Sequence, residues 1–244
     1  MSVSQARTLE IGTLDYPPYI HYSEDRTNVE GAATDIVRAV FKEMNQPVTI
    51  RIYPWARALT YLEEGKIDAV YTAYKTEERQ EFAIFSKEVL FLQEVAFFKR
   101  KGSVIPFEGD LHEVIDHGII TISKVSYGSK FDDLQQQGLF TNLHSVATAE
   151  QCLGMLLTRR VDLWINNRLG ALYVASKHHK LDTIEEVRPL VQQVPSYIMF
   201  SKKNGLTKIR DQFDEQLKQL RADGRYNHLL KSYLQRTNLQ PDDD

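Results

Sequence analysis

Leu62-Glu-Glu-Gly65-Lys-Ile-Asp68-Ala-Val-Tyr71 reads as a helix end, a glycine stop, a basic residue, an aliphatic residue, an aspartate and then a strand. Glycine suits the residue just past a helix, where the chain turns left-handed. The same order returns in Leu156-Leu-Thr-Arg159-Arg-Val-Asp162-Leu-Trp-Ile165, with Asp162 standing 94 residues after Asp68. Two readings are open: a turn common to any α/β chain, or two lobes of related architecture.

Strand-like and helical segments alternate outward from both strings, the pattern of an α/β protein. Residues 9–13 are expected to form a strand that breaks at Asp15-Tyr16-Pro17-Pro18-Tyr19. Thr34 or Asp35 is expected to cap a helix reaching about Met44, with Ile36, Val37, Val40 and Phe41 on one face. Residues 48–53 read as a strand, and Pro54 suits the first turn of a helix carrying Ala58, Leu59 and Leu62. Strands follow at 67–71 and 89–99. The rhythm then restarts: strand 118–123, helix 130–137, a short strand near Leu143, helix 149–157, strand 161–165 and helix 169–176. A last strand is expected at 197–202, and residues 206–234 are helical with a break at Asp223-Gly224. No Pro/Gly/Ser-rich linker divides the chain, so two lobes would be joined by strands.

The 244 residues are 42% hydrophobic and 26% charged, the balance of a soluble globular chain rather than a disordered one. A net charge of -3 with scattered Lys and Arg gives no reason to expect nucleic acid. No apolar run approaches the ~20 residues that span a bilayer. Cys152 is the single cysteine, which excludes an intramolecular disulfide and any multi-cysteine metal site; a buried small hydrophobe is the expectation for it. His178-His179 lies in a polar turn and reads as solvated surface, and neither zinc spacing nor a phosphate-cradling glycine loop is present. The start lacks the basic-then-apolar pattern of a secretory signal, which fits either a cytoplasmic protein or a mature secreted one. After residue 234 the sequence is mostly polar to Asp244, with no membrane-spanning helix, which is expected of a free protein rather than a receptor input domain.

Several motifs in order carry a resemblance: Tyr16-Pro-Pro-Tyr19, Gly31-Ala-Ala-Thr-Asp35-Ile-Val, Gly65-Lys-Ile-Asp68-Ala, Thr76-Glu-Glu-Arg79, Phe85-Ser86, and Leu220-Arg-Ala-Asp223-Gly-Arg-Tyr226 with Leu230-Lys-Ser-Tyr233. From about Leu9 to Leu234 the chain resembles the bacterial extracellular solute-binding proteins of amino-acid ABC transporters, family 3. Pro54-Trp55-Ala-Arg57-Ala-Leu59 and Ser126-Tyr-Gly128…Phe131-Asp132 are similar to one branch of it. The resemblance implies a two-lobed α/β fold, each lobe a mainly parallel sheet flanked by helices. Two crossings join the lobes: lobe one is expected at about residues 1–95 plus 198–244, lobe two at about 96–197. It also implies hinge closure on a ligand.

The same resemblance implies the ligand-binding residues. Arg79 grips a carboxylate, a task suited to a guanidinium because its fork of donors meets both oxygens and stays charged when desolvated. Thr76 caps the helix that begins there. Thr72 and Tyr74 lie on the approach to that block, Tyr16 and Trp55 wall the cleft with flat apolar area, and Ser126, Tyr127 and Asn167 come from lobe two. Two positions depart from the family. Asn167 stands where amino-acid binders commonly carry an Asp for the ligand's ammonium, and Tyr74 stands where Ser or Thr is frequent. An organic acid, a modified amino acid or a short peptide therefore joins the standard amino acids as a candidate ligand, unless another acid such as Asp15 or Asp35 takes the ammonium. The expected function is binding without chemistry, with no catalytic residue, cofactor or metal. Expected partners are a carboxylate-bearing solute and an ABC transporter membrane component, acting on a periplasmic monomer. The alternatives are a cyclohexadienyl-dehydratase-like enzyme on the same fold, which needs a general acid that no carboxylate or histidine supplies convincingly, and the sensing domain of a receptor.

Overall fold

The computed structural model describes residues 7–123 and 125–236. The readings of the chain start and of residues 237–244 lie outside these. In chain order the elements are β1 (Leu9–Thr13), β2 (His21–Tyr22), β3 (Val29–Glu30), α1 (Ala32–Glu43), β4 (Val48–Ile52), α2 (Trp55–Glu64), β5 (Ala69–Tyr74), α3 (Glu77–Phe82), β6 (Ala83–Phe85) and β7 (Phe91–Arg100). Then come β8 (Ile119–Ile122), α4 (Ser129–Gln136), β9 (Leu143–Val146), α5 (Ala149–Leu157), β10 (Leu163–Asn167), α6 (Arg168–Lys177), β11 (Ile184–Ser201), α7 (Thr207–Ala222) and α8 (Arg225–Arg236). The chain divides into two compact units, one ending at Phe91 and resuming at Pro195, the other Leu92–Val194.

In the first unit β4, β1 and β5 run parallel, with Ile11 opposite Ile50 on one side and Ala69 on the other. β11 pairs antiparallel with β5 and with β6. The amphipathic α1 turns Ile36, Val37, Val40 and Phe41 inward, all at 0% exposure, and Phe41 meets Phe213 of α7 at 5.2 Å. Each such side chain contributes about 1.5–3 kcal/mol. The helix starts earlier than expected. Gly31 is its N-cap, at φ 125. A Cβ at that residue would lie 2.2 Å from the Tyr19 carbonyl oxygen, so only glycine fits where the helix start meets the first loop. Thr34 caps nothing; its buried hydroxyl donates to the Glu30 carbonyl at 3.2 Å and shares a 2.8 Å hydrogen bond with the Tyr71 hydroxyl.

In the second unit β10, β8 and β9 run parallel, and β7 pairs antiparallel with β10. Trp164, Phe98, Leu153, Leu156, Val174 and Cys152 form the core between this sheet and helices α5 and α6. Burial pushes the Cys152 thiol up to about 12, so it packs as a small hydrophobe and holds no thiolate at neutral pH.

The repeated string is a repeated structure. Asp68 donates its N–H to the Glu10 carbonyl at 2.7 Å and accepts the Glu10 N–H on its carboxylate at 2.9 Å. Asp162 makes the same exchange with Gly118, at 2.7 and 3.1 Å. In each unit the aspartate pins the start of one parallel strand to its neighbour. The third residue before each aspartate, in the turn after the helix, is left-handed in both, Gly65 at φ 75 and Arg159 at φ 61.

β11 departs most from expectation. It is 18 residues long and begins at Ile184, not near Tyr197. Its first half carries Glu185, Glu186, Arg188 and Pro189, and its buried residues Ile184, Val187 and Val191 stand three and four apart, so the period-2 signal of a strand is missing.

Candidate ligand-binding site

The first unit gathers the residues read from the Thr-x-x-Arg block. β5 carries one extra residue relative to β11: Val70 faces Met199 and Ala73 faces Tyr197, so Tyr71 and Thr72 together oppose Ile198. Thr72 adopts φ 63 in this bulge, a left-handed conformation that costs a β-branched residue about 1–2 kcal/mol. It is buried, and its hydroxyl donates to the Tyr71 carbonyl at 2.6 Å. The bulge re-aims the strand end at Tyr74. Strain of this kind concentrates at binding sites.

Thr76 caps α3 as expected, its hydroxyl accepting the Arg79 N–H at 3.3 Å. Arg79 then folds back over the turn. Its Nη1 donates to the Tyr74 carbonyl at 2.8 Å, and the guanidinium lies over the Trp55 ring, 5.3 Å from the centroid. Trp55 opens α2 and packs on a core cluster that contains Ala58, Leu62, Val70 and Met199. Arg79, Tyr74, Thr76 and Trp55 are half-buried, so each presents surface beside a fixed body. Together, strand bulge, cap and indole ring hold one guanidinium in place before any ligand arrives.

Tyr16 sits in the loop after β1. Its N–H donates to the Ile20 carbonyl at 2.8 Å, and its ring stacks on Tyr19 at 5.4 Å and 22°. Tyr16 is half-buried; Tyr19 is 5% exposed and packs edge-on against Phe91 at 5.6 Å. Tyr19 is thus the core member of the pair and Tyr16 its outward face.

In the second unit the turn before α4 is organised by Asp132, which the sequence reading passed over. Its carboxylate accepts the Ser126 hydroxyl and, at 2.9 Å, the Tyr127 N–H. The Tyr127 ring is buried at 1% exposure and its hydroxyl accepts the Ile122 N–H at 2.7 Å. The signal available was an acid in the first turn of α4, six residues after Ser126. Asn167, 2% exposed, is the N-cap of α6: its amide oxygen accepts the Gly170 N–H at 3.2 Å and its amide nitrogen donates to Gln93 at 3.4 Å. No group of three or more His, Cys, Asp or Glu able to hold a metal occurs among the described residues. Nor, among them, is any helix long and apolar enough to cross a membrane.

Comparison with known proteins supplies relatives for this arrangement. L-cystine-binding protein TcyA of Bacillus subtilis (strain 168) is 21% identical over 234 residues, 95% of this chain and 83% of the relative. The arginine-binding periplasmic protein of Mannheimia haemolytica is 23% identical over 239 residues, covering 95% and 92%. Among solved structures, a histidine kinase sensor domain with similarity to periplasmic binding proteins superposes with a TM-score of 0.81 at 20% identity, over 94% of this chain and 97% of that one. These likenesses establish a two-lobed α/β periplasmic-binding-protein fold, and the named sequence relatives are binding proteins rather than enzymes. Residues 9–236 match the description "Bacterial extracellular solute-binding proteins, family 3", and the chain belongs to that family.

Proposed function

We propose that this protein binds a small carboxylate-bearing solute, an amino acid or a close relative of one, for delivery to an ABC transporter, in the periplasm and without chemical change to the solute. The observation that carries the reading is the fixed guanidinium of Arg79, tied to the Tyr74 carbonyl and laid on the Trp55 ring. A guanidinium oriented in advance loses little freedom on meeting a carboxylate, so more of the interaction appears as affinity. Tyr16, Trp55 and Tyr74 cover the body of the solute, and Thr72 and Thr76 shape the turn that presents Arg79. Lobe one, about residues 1–95 plus 198–244, holds this set. Lobe two, about 96–197, closes over the solute with Ser126 and Asn167, and Tyr127, whose ring is buried and whose N–H Asp132 takes, supports that turn from within. Closure is driven only by contacts made better in the closed state.

A thermal-shift panel of amino acids, dicarboxylates, keto acids and short peptides tests this. A true ligand at ~100 times its dissociation constant adds about 2.7 kcal/mol to the folded state. The solute is expected to be recovered unchanged; conversion to a product would overturn the binding-only reading, and silence across all four classes would overturn the ligand class.

Asn167→Asp probes the missing acid. Asp caps a helix as well as Asn does, but it cannot donate to Gln93 and it buries a charge, so the unliganded protein is expected to melt at a lower temperature than the parent. Affinity for α-amino acids is expected to rise by about tenfold, because a charged acceptor is roughly twice as strong as a neutral one. Calorimetry that finds equal affinity in both proteins would refute a role for residue 167 at the ammonium.

A further inference from the structure

We propose that the second unit carries a separate binding site for a small polyanion, in a cavity of about 520 Å³ lined by Arg100, Lys101, Gly102, Ser103, Leu157, Arg159, Lys180 and Thr183. It lies where the end of β7 meets the C-terminal ends of α5 and α6. Four of its eight lining residues are cationic and none is acidic.

The charges nearby sort into paired and unpaired. Arg100 is spent: its Nη1 donates to the Leu156 and Val161 carbonyls at 2.9 and 2.6 Å, and its Nη2 lies 3.6 Å from Asp162. Lys99 pairs with Glu185 at 2.9 Å, and the Gly102 N–H and Lys101 also act on that carboxylate. The side chains of Arg159 and Lys180 form no ion pair with any described residue, Lys101 adds a longer-range attraction to Glu185, and all three are exposed. Helix dipoles account for a cation in the last turn of a helix. Lys177 fills that place in α6, and Arg100 already satisfies the Leu156 carbonyl of α5. Three further cations around one hollow, in a chain of net charge -3, repel one another and are stabilised by an anion between them.

Arg159 adds an independent sign. It holds the left-handed position that Gly65 fills in the first unit's copy of the same turn. Glycine takes that conformation without strain, whereas a side chain does not. Asn45 and His179 hold the same conformation after α1 and α6, and at Arg159 it sets a guanidinium at the cavity rim. Gly102 adopts φ 79, and the space beside it is open, with nothing within 4 Å of where a Cβ would stand. The volume suits a small ligand rather than a macromolecular surface. The chemistry fits two or more phosphate or carboxylate groups.

The test is a titration of isotope-labelled protein with inorganic pyrophosphate, and in a parallel arm with citrate, at constant ionic strength. Saturable amide shifts at Lys101, Gly102 and Ser103 are expected, weakening steeply as salt is raised. Pyrophosphate binding alone assigns a phosphate ligand; binding of both assigns a general polyanion site. Lys101→Ala with Lys180→Ala is expected to weaken binding at least tenfold. Arg159→Gly is expected to weaken it severalfold with an unchanged or higher melting temperature, so lost binding cannot be put down to misfolding. Unsaturable shifts, or equal affinity in these variants, overturn the proposal. So does pyrophosphate binding that disappears in Arg79→Ala, since that places the anion at the solute site.

Discussion

Arg79→Ala is expected to remove solute binding altogether in calorimetry or thermal shift while the protein stays folded. A carboxylate gripped by a guanidinium makes two charge-assisted hydrogen bonds of about 1.5–3 kcal/mol each. Their loss weakens binding by about a hundredfold or more, beyond the range of a typical titration. The fold loses, among its contacts, the bond to the Tyr74 carbonyl and the packing on the Trp55 ring, about 1 kcal/mol together at a half-exposed position. Arg79→Lys separates charge from geometry. An ammonium keeps the charge but lacks the planar fork, so affinity between that of the parent and of the alanine variant is expected. Unchanged affinity in the alanine variant would remove Arg79, and with it the whole constellation, from the site.

The second large effect is on stability. Asp68, 3% exposed, accepts four hydrogen bonds: from Arg7 at 2.6 and 2.8 Å, from the Glu10 N–H at 2.9 Å and from Asn204 at 2.7 Å. Asp68→Ala strands the Glu10 N–H and the Asn204 amide and is expected to cost about 3 kcal/mol by denaturant unfolding. Arg7 is largely solvated and adds little of this. The matching Asp162 is far more exposed, so Asp162→Ala is expected to cost about 1 kcal/mol. A larger loss at Asp162 than at Asp68 would refute this ranking.

The same carboxylate sets an acid limit. Burial raises its pKa, but the hydrogen bonds from Arg7, the Glu10 N–H and Asn204 outweigh burial and leave it below the ordinary carboxylate value. A group lowered in the folded state stabilises the fold above its unfolded pKa, near 4, and that contribution is lost as pH falls through the folded value. The stability gap between parent and Asp68→Ala is therefore expected to be constant near neutrality and to narrow below about pH 4. A gap that persists at low pH would show that Asp68 acts through packing instead.

Local chemistry made much of this legible. The Gly65 stop, the Thr76 cap and the Asp223-Gly224 break are single-residue signals acting within one turn, and each appears where the residues placed it. The apolar stripe of α1 and the extent of α5 follow from periodicity alone. Signals that depend on a distant partner were not legible. Thr34 reads as a cap but turns inward, because the Tyr71 hydroxyl from another strand offers it a buried partner. Tyr127 reads as a ligand-binding residue of lobe two, yet its ring fills the core of the second unit and Asp132 takes its N–H.

The sequence by itself determined the α/β class, the family and the repeated aspartate turn, since each is written in short strings whose physics is local. Tertiary structure alone decided the left-handed bulge at Thr72, the seating of Arg79 on Trp55, the buried pairing of Asn167 with Gln93 and the gathering of Lys101, Arg159 and Lys180 around one cavity. Each of these joins residues far apart in the chain or sets a backbone angle through strand register, and neither propensity nor periodicity carries that information.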